Sequence, residues 1–229
     1  MNIILMTRTP MPPVATPATL DGTLLRVEGL TFLYPQRASF TDWSARIGPG
    51  VTLLLGGEGS GKTTLLRLLA GELRAASGSV MLKGVSLSDP SQAYRAQVFW
   101  QHPATDALDA ITALDYFEQL RRRYPAFLPP DAAAMQALLV GLSLTEHLAK
   151  LLYMLSTGSK RKVWLAAAFA AGATLTLLDD PFTALDKPSI RFVQQQLAHM
   201  AQAPERACVV AHYEALGDVP LAQVIDLDA

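Results

Sequence analysis

Apolar side chains follow two different spacings along the chain, and together they predict an α/β fold. Short continuous apolar runs at residues 51–55, 174–178 and 207–211 predict buried parallel strands. Residues 63–73 instead carry leucines at helical spacing, at Leu65, Leu66, Leu69 and Leu73. A further strand is predicted at residues 224–227.

The chain changes character twice around these elements. Residues 23–47 alternate in short β-like runs, at 24–27 and 40–47, and residues 51–99 follow the order strand, helix, strand, strand. Residues 103–157 predict a helical insert, with helices at 113–123 and 132–142 around a proline-rich turn.

One apolar segment, residues 163–178, could be mistaken for a membrane span. It falls short of the ~20 residues that a bilayer requires, and Gly172 divides it into a helix at 160–171 and a strand. Residues 1–21 mix prolines and threonines and predict a flexible tail, which leaves 22–229 as one domain. We therefore expect a soluble protein whose membrane role comes only through a partner.

The composition of the 229 residues excludes some classes of protein. Lysine and arginine number 19 against 20 acidic residues, so no overall basic field indicates a nucleic-acid partner. A single cysteine, Cys208, excludes an internal disulfide and a zinc site built from cysteines. Its apolar neighbours predict a buried thiol on a strand.

A glycine-rich loop joins the strand at 51–55 to the helix that follows. It fits G-x-x-x-x-G-K-[ST], in which glycines let backbone N–H groups surround phosphates, the lysine supplies a charge and the hydroxyl reaches Mg²⁺. The alternative is a glycine-rich turn that precedes a lysine by chance, but the strand and helix on either side favour the phosphate site. The predicted nucleotide-binding residues are Gly56, Gly57, Glu58, Gly59, Ser60, Gly61, Lys62, Thr63 and Thr64.

A second pattern is the apolar strand that ends in Asp179 and Asp180. In P-loop enzymes the first acid holds Mg²⁺ and the next position handles the attacking water. The pattern alone is weak, because many strands end in acids, but it gains weight behind a phosphate loop. Shorter motifs lie in order around it, at Gln101, residues 155–159, Asp186 and His212.

This ordered set resembles the nucleotide-binding domain of the ATP-binding cassette (ABC) ATPases, over residues 24–227. The resemblance implies a P-loop NTPase core with a mainly parallel sheet, an antiparallel β subdomain and a helical insert, with ATP and Mg²⁺ as cofactors. It implies that Tyr34 stacks on adenine, and that Thr63, Gln101 and Asp179 hold the metal. It also implies catalytic roles for Asp180, His212 and Gln101.

The resemblance further implies a head-to-tail dimer. Ser156 and Gly158 would contact ATP bound to the opposite subunit, and Asp186 would lie at the dimer interface. Each residue alone has an ordinary alternative: Tyr34 could be a turn residue, and His212 a structural histidine at a strand end. It is their order that favours function.

Three departures from the family pattern bear on the chemistry. Asp180 stands where the family has glutamate, and its shorter arm predicts slow hydrolysis. Thr157 and Ser159 alter the signature around Ser156 and Gly158, and Glu58 places a carboxylate in the phosphate loop, where we expect it to point outward.

The cationic run Lys160, Arg161 and Lys162 opens a predicted helix, where positive charges oppose the helix dipole. Two explanations remain open for it. Either an anion lies nearby, from the opposite subunit's triphosphate or a partner's acid, or the run is a solvated charged face.

The predicted function is an ATP-binding and ATP-hydrolysing subunit that powers a membrane transporter. It would act as a homodimer or heterodimer of cassettes with separate integral membrane permease chains, cytoplasmic and peripheral on the inner face of the cell membrane. A non-transport cassette ATPase and a hydrolysis-poor nucleotide-binding regulator are the alternatives. Phe99, Trp100 and the part of the helical insert near Tyr116 are predicted to form an apolar cleft for a permease helix.

Overall fold

A computed structural model describes residues 22–34, 37–89, 92–102 and 105–229. The predicted tail at residues 1–21 lies outside these described residues.

The chain builds two β-sheets of different kinds. The strands in chain order are β1 (Leu25–Tyr34), β2 (Arg37–Ile47), β3 (Gly50–Leu55), β4 (Ser77–Leu82), β5 (Val85–Ser86), β6 (Val98–Trp100), β7 (Leu175–Asp179), β8 (Ala207–His212) and β9 (Gln223–Asp226). An antiparallel sheet has the order β2-β1-β4-β5, and a parallel sheet has the order β6-β7-β8-β3-β9.

In the part of the chain that the structure describes, five α-helices accompany the sheets: α1 (Lys62–Ala70), α2 (Ala113–Arg123), α3 (Ala133–Gly141), α4 (Thr157–Ala170) and α5 (Lys187–Ala201). Helix α2 begins at a capping box, in which Thr112 and Asp115 satisfy each other's backbone N–H groups. Together with α3 it forms the helical insert that the sequence predicted.

The parallel sheet separates two hydrophobic clusters, because alternate residues of its strands point to opposite faces. One cluster joins the sheet to α1 and the antiparallel strands and includes Leu25, Leu54, Leu65, Leu69 and Val209. The other joins it to the helical insert, α4 and α5 and includes Leu53, Phe117, Leu138, Trp164, Val193 and Val210. The central strands are therefore buried on both faces, as their continuous apolar runs predicted.

Strand register brings the ends of three central strands to one edge. Leu55 at the end of β3 pairs with His212 at the end of β8. Asp179 at the end of β7 pairs with Ala211. The loop after β3 and the polar residues after β7 and β8 therefore meet at the carboxyl edge, where open parallel sheets bind ligands.

The α/β fold class is confirmed, and the differences from prediction are two helix ends and one helix that was missed. Helix α4 begins at Thr157, three residues before the predicted start, because Ser156 caps it. Helix α1 ends before Leu73, because Gly71 adopts a left-handed conformation with φ of 76°. Helix α5 had not been predicted, although Asp186 as its cap and Pro188 in its first turn are typical start signals.

Within the described residues, no helix is long and apolar enough to cross a bilayer. The prediction of a buried thiol on a strand agrees with the structure. Cys208 is 1% exposed on β8, and burial raises the pKa of its thiol to about 12.

Gly172 makes the tight passage from α4 to β7, and we expect Gly172→Ala to destabilise the protein. Its φ is 64°, and an added Cβ would lie 2.7 Å from the Ala126 Cβ. Gly84→Ala is the matched control, since Gly84 also has a positive φ, of 78°, but has nothing within 4 Å of an added Cβ. Urea denaturation should show that Gly172→Ala lowers the free energy of unfolding by about 1–3 kcal/mol more than Gly84→Ala. Equal losses would contradict the steric explanation.

Candidate active site

The phosphate loop leaves β3 at Gly56 and enters α1 at Lys62. Gly61 caps the helix with φ of 99°, and a Cβ there would lie 3.0 Å from Cζ of Phe40. At Gly56 a Cβ would collide with the Ser60 hydroxyl. No side chain caps α1, so the loop directs the N–H groups of the first helical turn towards the carboxyl edge of the sheet.

Lys62 lies across this loop rather than pointing away from it. Its Nζ donates to the carbonyl oxygens of Gly56 and Gly57, each at 2.6 Å. Glu58 lies in the turn of the same loop and is exposed, in agreement with the expected outward orientation.

The Gly57 N–H is held by a residue from the far end of the sequence. It donates to Asp228 Oδ2 at 2.6 Å, just after β9. The preceding residue, Leu227, donates its N–H to the Leu55 carbonyl at 2.9 Å. The first turn of the phosphate loop is therefore fixed by the segment that follows the edge strand.

Tyr34 ends β1 beside the first turn of α1. Its hydroxyl lies 3.3 Å from Thr64 Oγ1, and its ring makes an edge contact with Phe32 at a centroid distance of 4.9 Å. The side chain is 41% exposed, so one aromatic face remains open next to the phosphate loop.

Two of the predicted metal ligands are in direct contact. Thr63 Oγ1 donates to Asp179 Oδ2 at 2.7 Å. Burial raises the pKa of Asp179, and the neighbouring Asp180 raises it further, while the Thr63 hydrogen bond lowers it. A buried carboxylate with a like-charged neighbour is a place where a cation would be stabilising.

Asp180 is held by two side chains at once. Its Oδ1 lies 2.9 Å from His212 Nδ1, and its Oδ2 accepts a hydrogen bond from the Thr183 hydroxyl. His212 ends β8 with its side chain 4% exposed, between the rings of Phe182 and Tyr213. Each carboxylate oxygen has two lone pairs, so Asp180 can still accept a hydrogen bond from water.

The signature residues form the start of α4. Ser156 caps the helix, since its Oγ accepts from the Ser159 N–H at 3.1 Å. A Cβ on Gly158 would collide with the carbonyl oxygen of Ala184, so the signature packs directly against the turn that precedes Asp186. Ser156 is exposed at a helix N-terminus, where the dipole favours an anion.

Gln101 faces the helical insert in this structure. Its Oε1 accepts a hydrogen bond from the Tyr116 hydroxyl at 3.2 Å, whereas Thr63 and Asp179 bond to each other. Gln101 does line a cavity of about 30 Å³ together with Asp179 and Arg161. The structure therefore joins Gln101 to the helical insert, and its metal and catalytic roles stay predictions.

The predicted docking cleft at Phe99, Trp100 and Tyr116 was wrong in its composition. Phe99 and Tyr116 are 2% and 3% exposed and belong to the core beneath the helical insert, where Tyr116 contacts the Trp164 ring. The indole nitrogen of Trp100 is buried and has no hydrogen-bond partner among the described residues. Aromatic character alone did not distinguish core positions from surface positions.

The cationic run does have anions nearby, as one of the two explanations expected, but they come from the same chain and not from the opposite subunit's triphosphate or a partner's acid. Lys160 pairs with Asp109 at 2.5 Å, and Lys162 pairs with Asp186 at 2.6 Å. The Arg161 guanidinium donates to the backbone carbonyls of Asp179 and Asp180. Lys162 strongly lowers the pKa of Asp186, which also caps α5.

Sequence reasoning missed three contributors to the site: Thr183, Arg161 as a contact of the acidic pair, and Asp228. Thr183 lies three positions after Asp180, in a segment where the sequence motif pointed only to Asp186. Asp228 is 171 positions from Gly57, and no local pattern predicts that pairing.

Comparisons with known proteins identify the family. The ABC transporter family profile matches residues 40–183. The chain is 32% identical over 191 residues to the cytochrome c biogenesis ATP-binding export protein CcmA of Pseudomonas putida, covering 82% of this chain and 89% of that protein. It is 32% identical over 182 residues to the taurine import ATP-binding protein TauB of Yersinia pestis, covering 77% and 67% of the two chains.

The fold agrees with this result. A solved ATP-binding subunit of an ABC transporter superposes with a TM-score of 0.73 at 22% identity, over 83% of this chain and 80% of that chain. The chain therefore belongs to the ABC transporter family and forms its ATP-binding domain, built on a P-loop cassette.

Proposed function

We propose that this chain binds ATP with Mg²⁺ at the phosphate loop and hydrolyses it slowly, with Asp180 as general base, to drive a membrane transporter. One observation supports the proposal more than any other. At the carboxyl edge of the parallel sheet, Thr63 contacts Asp179 and Asp180 contacts His212, so the residues expected to hold Mg²⁺ lie beside the residue expected to act as base.

The phosphate loop and Tyr34 support nucleotide binding. Lys62 can leave the carbonyls of Gly56 and Gly57 for the more strongly charged phosphates, and the first turn of α1 supplies N–H groups and the positive end of the helix dipole. The open face of Tyr34 lies beside that turn, within reach of a base attached to the phosphates.

Thr63 and Asp179 fit Mg²⁺, because hydroxyl and carboxylate oxygens are the ligands this ion prefers. The ion would neutralise charge on the β- and γ-phosphates. Gln101 would join these ligands after releasing the Tyr116 hydroxyl, and this change would connect the nucleotide to the helical insert.

Asp180 would take the proton of the attacking water while His212 holds the carboxylate and the γ-phosphate region. The imidazole is fixed by Phe182 and Tyr213, so its orientation does not depend on the substrate. Aspartate reaches less far than glutamate, and a misplacement of ~1 Å costs about 10²-fold in rate. We therefore expect slow turnover rather than none.

Assembly would complete the site. Ser156 is exposed at the N-terminus of α4, a different helix from the one that carries the phosphate loop of the same chain, and Gly158 lies in the first turn of α4. A second cassette, identical or related, would place its ATP there. Separate permease chains would hold the pair at the inner face of the membrane, and the matched relatives are themselves named for export and for import.

Binding should depend on Lys62. We expect Lys62→Ala to abolish ATP binding in isothermal titration calorimetry, because the phosphates lose their point charge. Lys83→Ala is the control, since Lys83 only pairs with Glu205 at the surface. Parental affinity in Lys62→Ala would overturn the assignment of the phosphate loop.

Dimer formation should depend on ATP and on the signature. Light scattering of Asp180→Asn with saturating MgATP should show a dimer, since blocked hydrolysis leaves ATP at the interface. Adding Ser156→Arg should return the monomer, because the larger side chain would fill the position of the opposite γ-phosphate. A monomer in both cases would count against the head-to-tail arrangement.

Hydrolysis should depend on the length and charge of residue 180. We expect Asp180→Asn to lower kcat by about 10²-fold or more, the usual range for losing a general base, and Asp180→Glu to raise kcat with little change in KM. Asp131→Asn, an exposed acid in the loop before α3, is the control. If Asp180→Asn turns over ATP as fast as the parent, the hydrolysis-poor regulator becomes the better description.

A further inference from the structure

Arg161 joins the signature helix to the acidic pair through the backbone. It lies in the first turns of α4, and its Nη1 donates to the carbonyl oxygen of Asp179 at 3.1 Å and to that of Asp180 at 2.8 Å. A single nitrogen thus bridges the two consecutive peptide groups that carry the acids.

The backbone at Asp180 is strained and is held from both sides. Its φ is 45°, a left-handed conformation that a non-glycine residue keeps only when its surroundings fix it. On one side the Asp180 N–H donates to the Ala211 carbonyl of β8 at 2.9 Å. On the other side the Asp180 carbonyl accepts from Arg161 at 2.8 Å and from the Thr183 N–H at 3.3 Å. The direction in which the Asp180 side chain leaves the backbone depends on these contacts.

Arg161 differs from the cations on either side of it. Lys160 and Lys162 pair with carboxylates in ordinary ion pairs. The Arg161 guanidinium instead turns inward, and its Nε is buried without a hydrogen-bond partner among the described residues. Burial lowers its pKa, while Asp180 and Asp179 act in the opposite direction. Placing a cation there at the cost of one unsatisfied N–H is a poor way to gain stability, so another role is indicated.

We propose that Arg161 is a positioning residue, which holds Asp180 in place for hydrolysis and ties that position to the signature at the start of α4. The inference rests on the proposed role of Asp180 as general base. Because Ser156 caps α4, a displacement of the signature reaches the acidic pair through one side chain five positions later. The base in one subunit would therefore respond to whether the same subunit's signature is engaged.

The contact between Arg161 and the Asp180 backbone matters because the Asp180 side chain is short. Thr183 and His212 hold the two carboxylate oxygens, and the Thr183 N–H also donates to the Asp180 carbonyl at 3.3 Å. Arg161 is the contact that joins this backbone to α4. An aspartate has one fewer rotatable bond than a glutamate with which to compensate a backbone shift. A shift of ~1 Å is enough for about a 10²-fold loss in rate.

Arg161→Gln and Lys160→Gln form the test pair, since both remove a cation from the same helix. Arg161→Gln should lower kcat about ten- to a hundredfold, with KM and the calorimetric ATP affinity within threefold of the parent. Lys160→Gln should leave kcat within twofold. A parental kcat in Arg161→Gln, or an equal loss in both variants, overturns the proposal. If Arg161→Gln fails to bind ATP, Arg161→Lys replaces it, with a fivefold or larger loss of kcat expected and a kcat within twofold of the parent as the contrary result.

The Asp180→Asn variant as background separates a positioning role of Arg161 from a general effect on ATP hydrolysis. In Asp180→Asn, followed with radiolabelled ATP, adding Arg161→Gln should change the residual rate by less than twofold, because the group it positions is gone. The same fold-loss as in the parent background means that Arg161 acts elsewhere.

Hydrogen exchange tests the contact between Arg161 and the backbone of Asp179 and Asp180 without an activity measurement. The peptide spanning residues 176–186 should exchange at least tenfold faster in Arg161→Gln than in the parent or Lys160→Gln. Unchanged exchange there overturns the inference. If Asp180→Asn hydrolyses ATP at the parental rate, the base assignment fails separately, and the exchange result still decides whether Arg161 holds this segment.

Discussion

The parallel register of β3, β7 and β8 is the constraint on which the rest of this site depends. Pairing Leu55 with His212, and Asp179 with Ala211, brings to one edge three segments that lie far apart in the sequence. A slip of one residue in either pairing would turn each inward side chain to the opposite face. The buried apolar runs of these strands therefore determine the distance between the phosphate loop and the acids.

The local part of this arrangement was predictable, and the long-range part was not. The glycines, Lys62 and Thr63 form one continuous motif, and Asp179 and Asp180 follow a recognisable strand, so their elements could be placed from spacing alone. Gln101, by contrast, has its amide oxygen bound to Tyr116 on α2. Its orientation depends on how the helical insert packs, and no sequence pattern encodes that packing.

The partners of the cationic run were also beyond prediction from local sequence. Positive charges at a helix start are stabilised by negative groups nearby, and each of the three side chains does contact carboxylate or carbonyl oxygens. Those oxygens come from three separate segments of the same chain, so the local sequence indicated that partners exist but not which residues they are. The result is a signature helix anchored at Asp109, at the acidic pair and at Asp186, which makes the start of α4 and the end of β7 parts of one mechanical unit.

The central position of β3 has a consequence for how the chain matures. Both of its neighbours in the sheet, β8 and β9, come from the last part of the sequence, and the phosphate loop is closed by Asp228. During synthesis, the apolar run of β3 leaves the ribosome long before β8 and β9 have been made. It stays unpaired during that time, and exposed unpaired strands tend to aggregate. Pairing across such sequence separations also slows folding. The nucleotide pocket is therefore among the last features to form, so a ribosome-bound or C-terminally shortened chain cannot use ATP as a folding aid and depends on other means of protecting that strand.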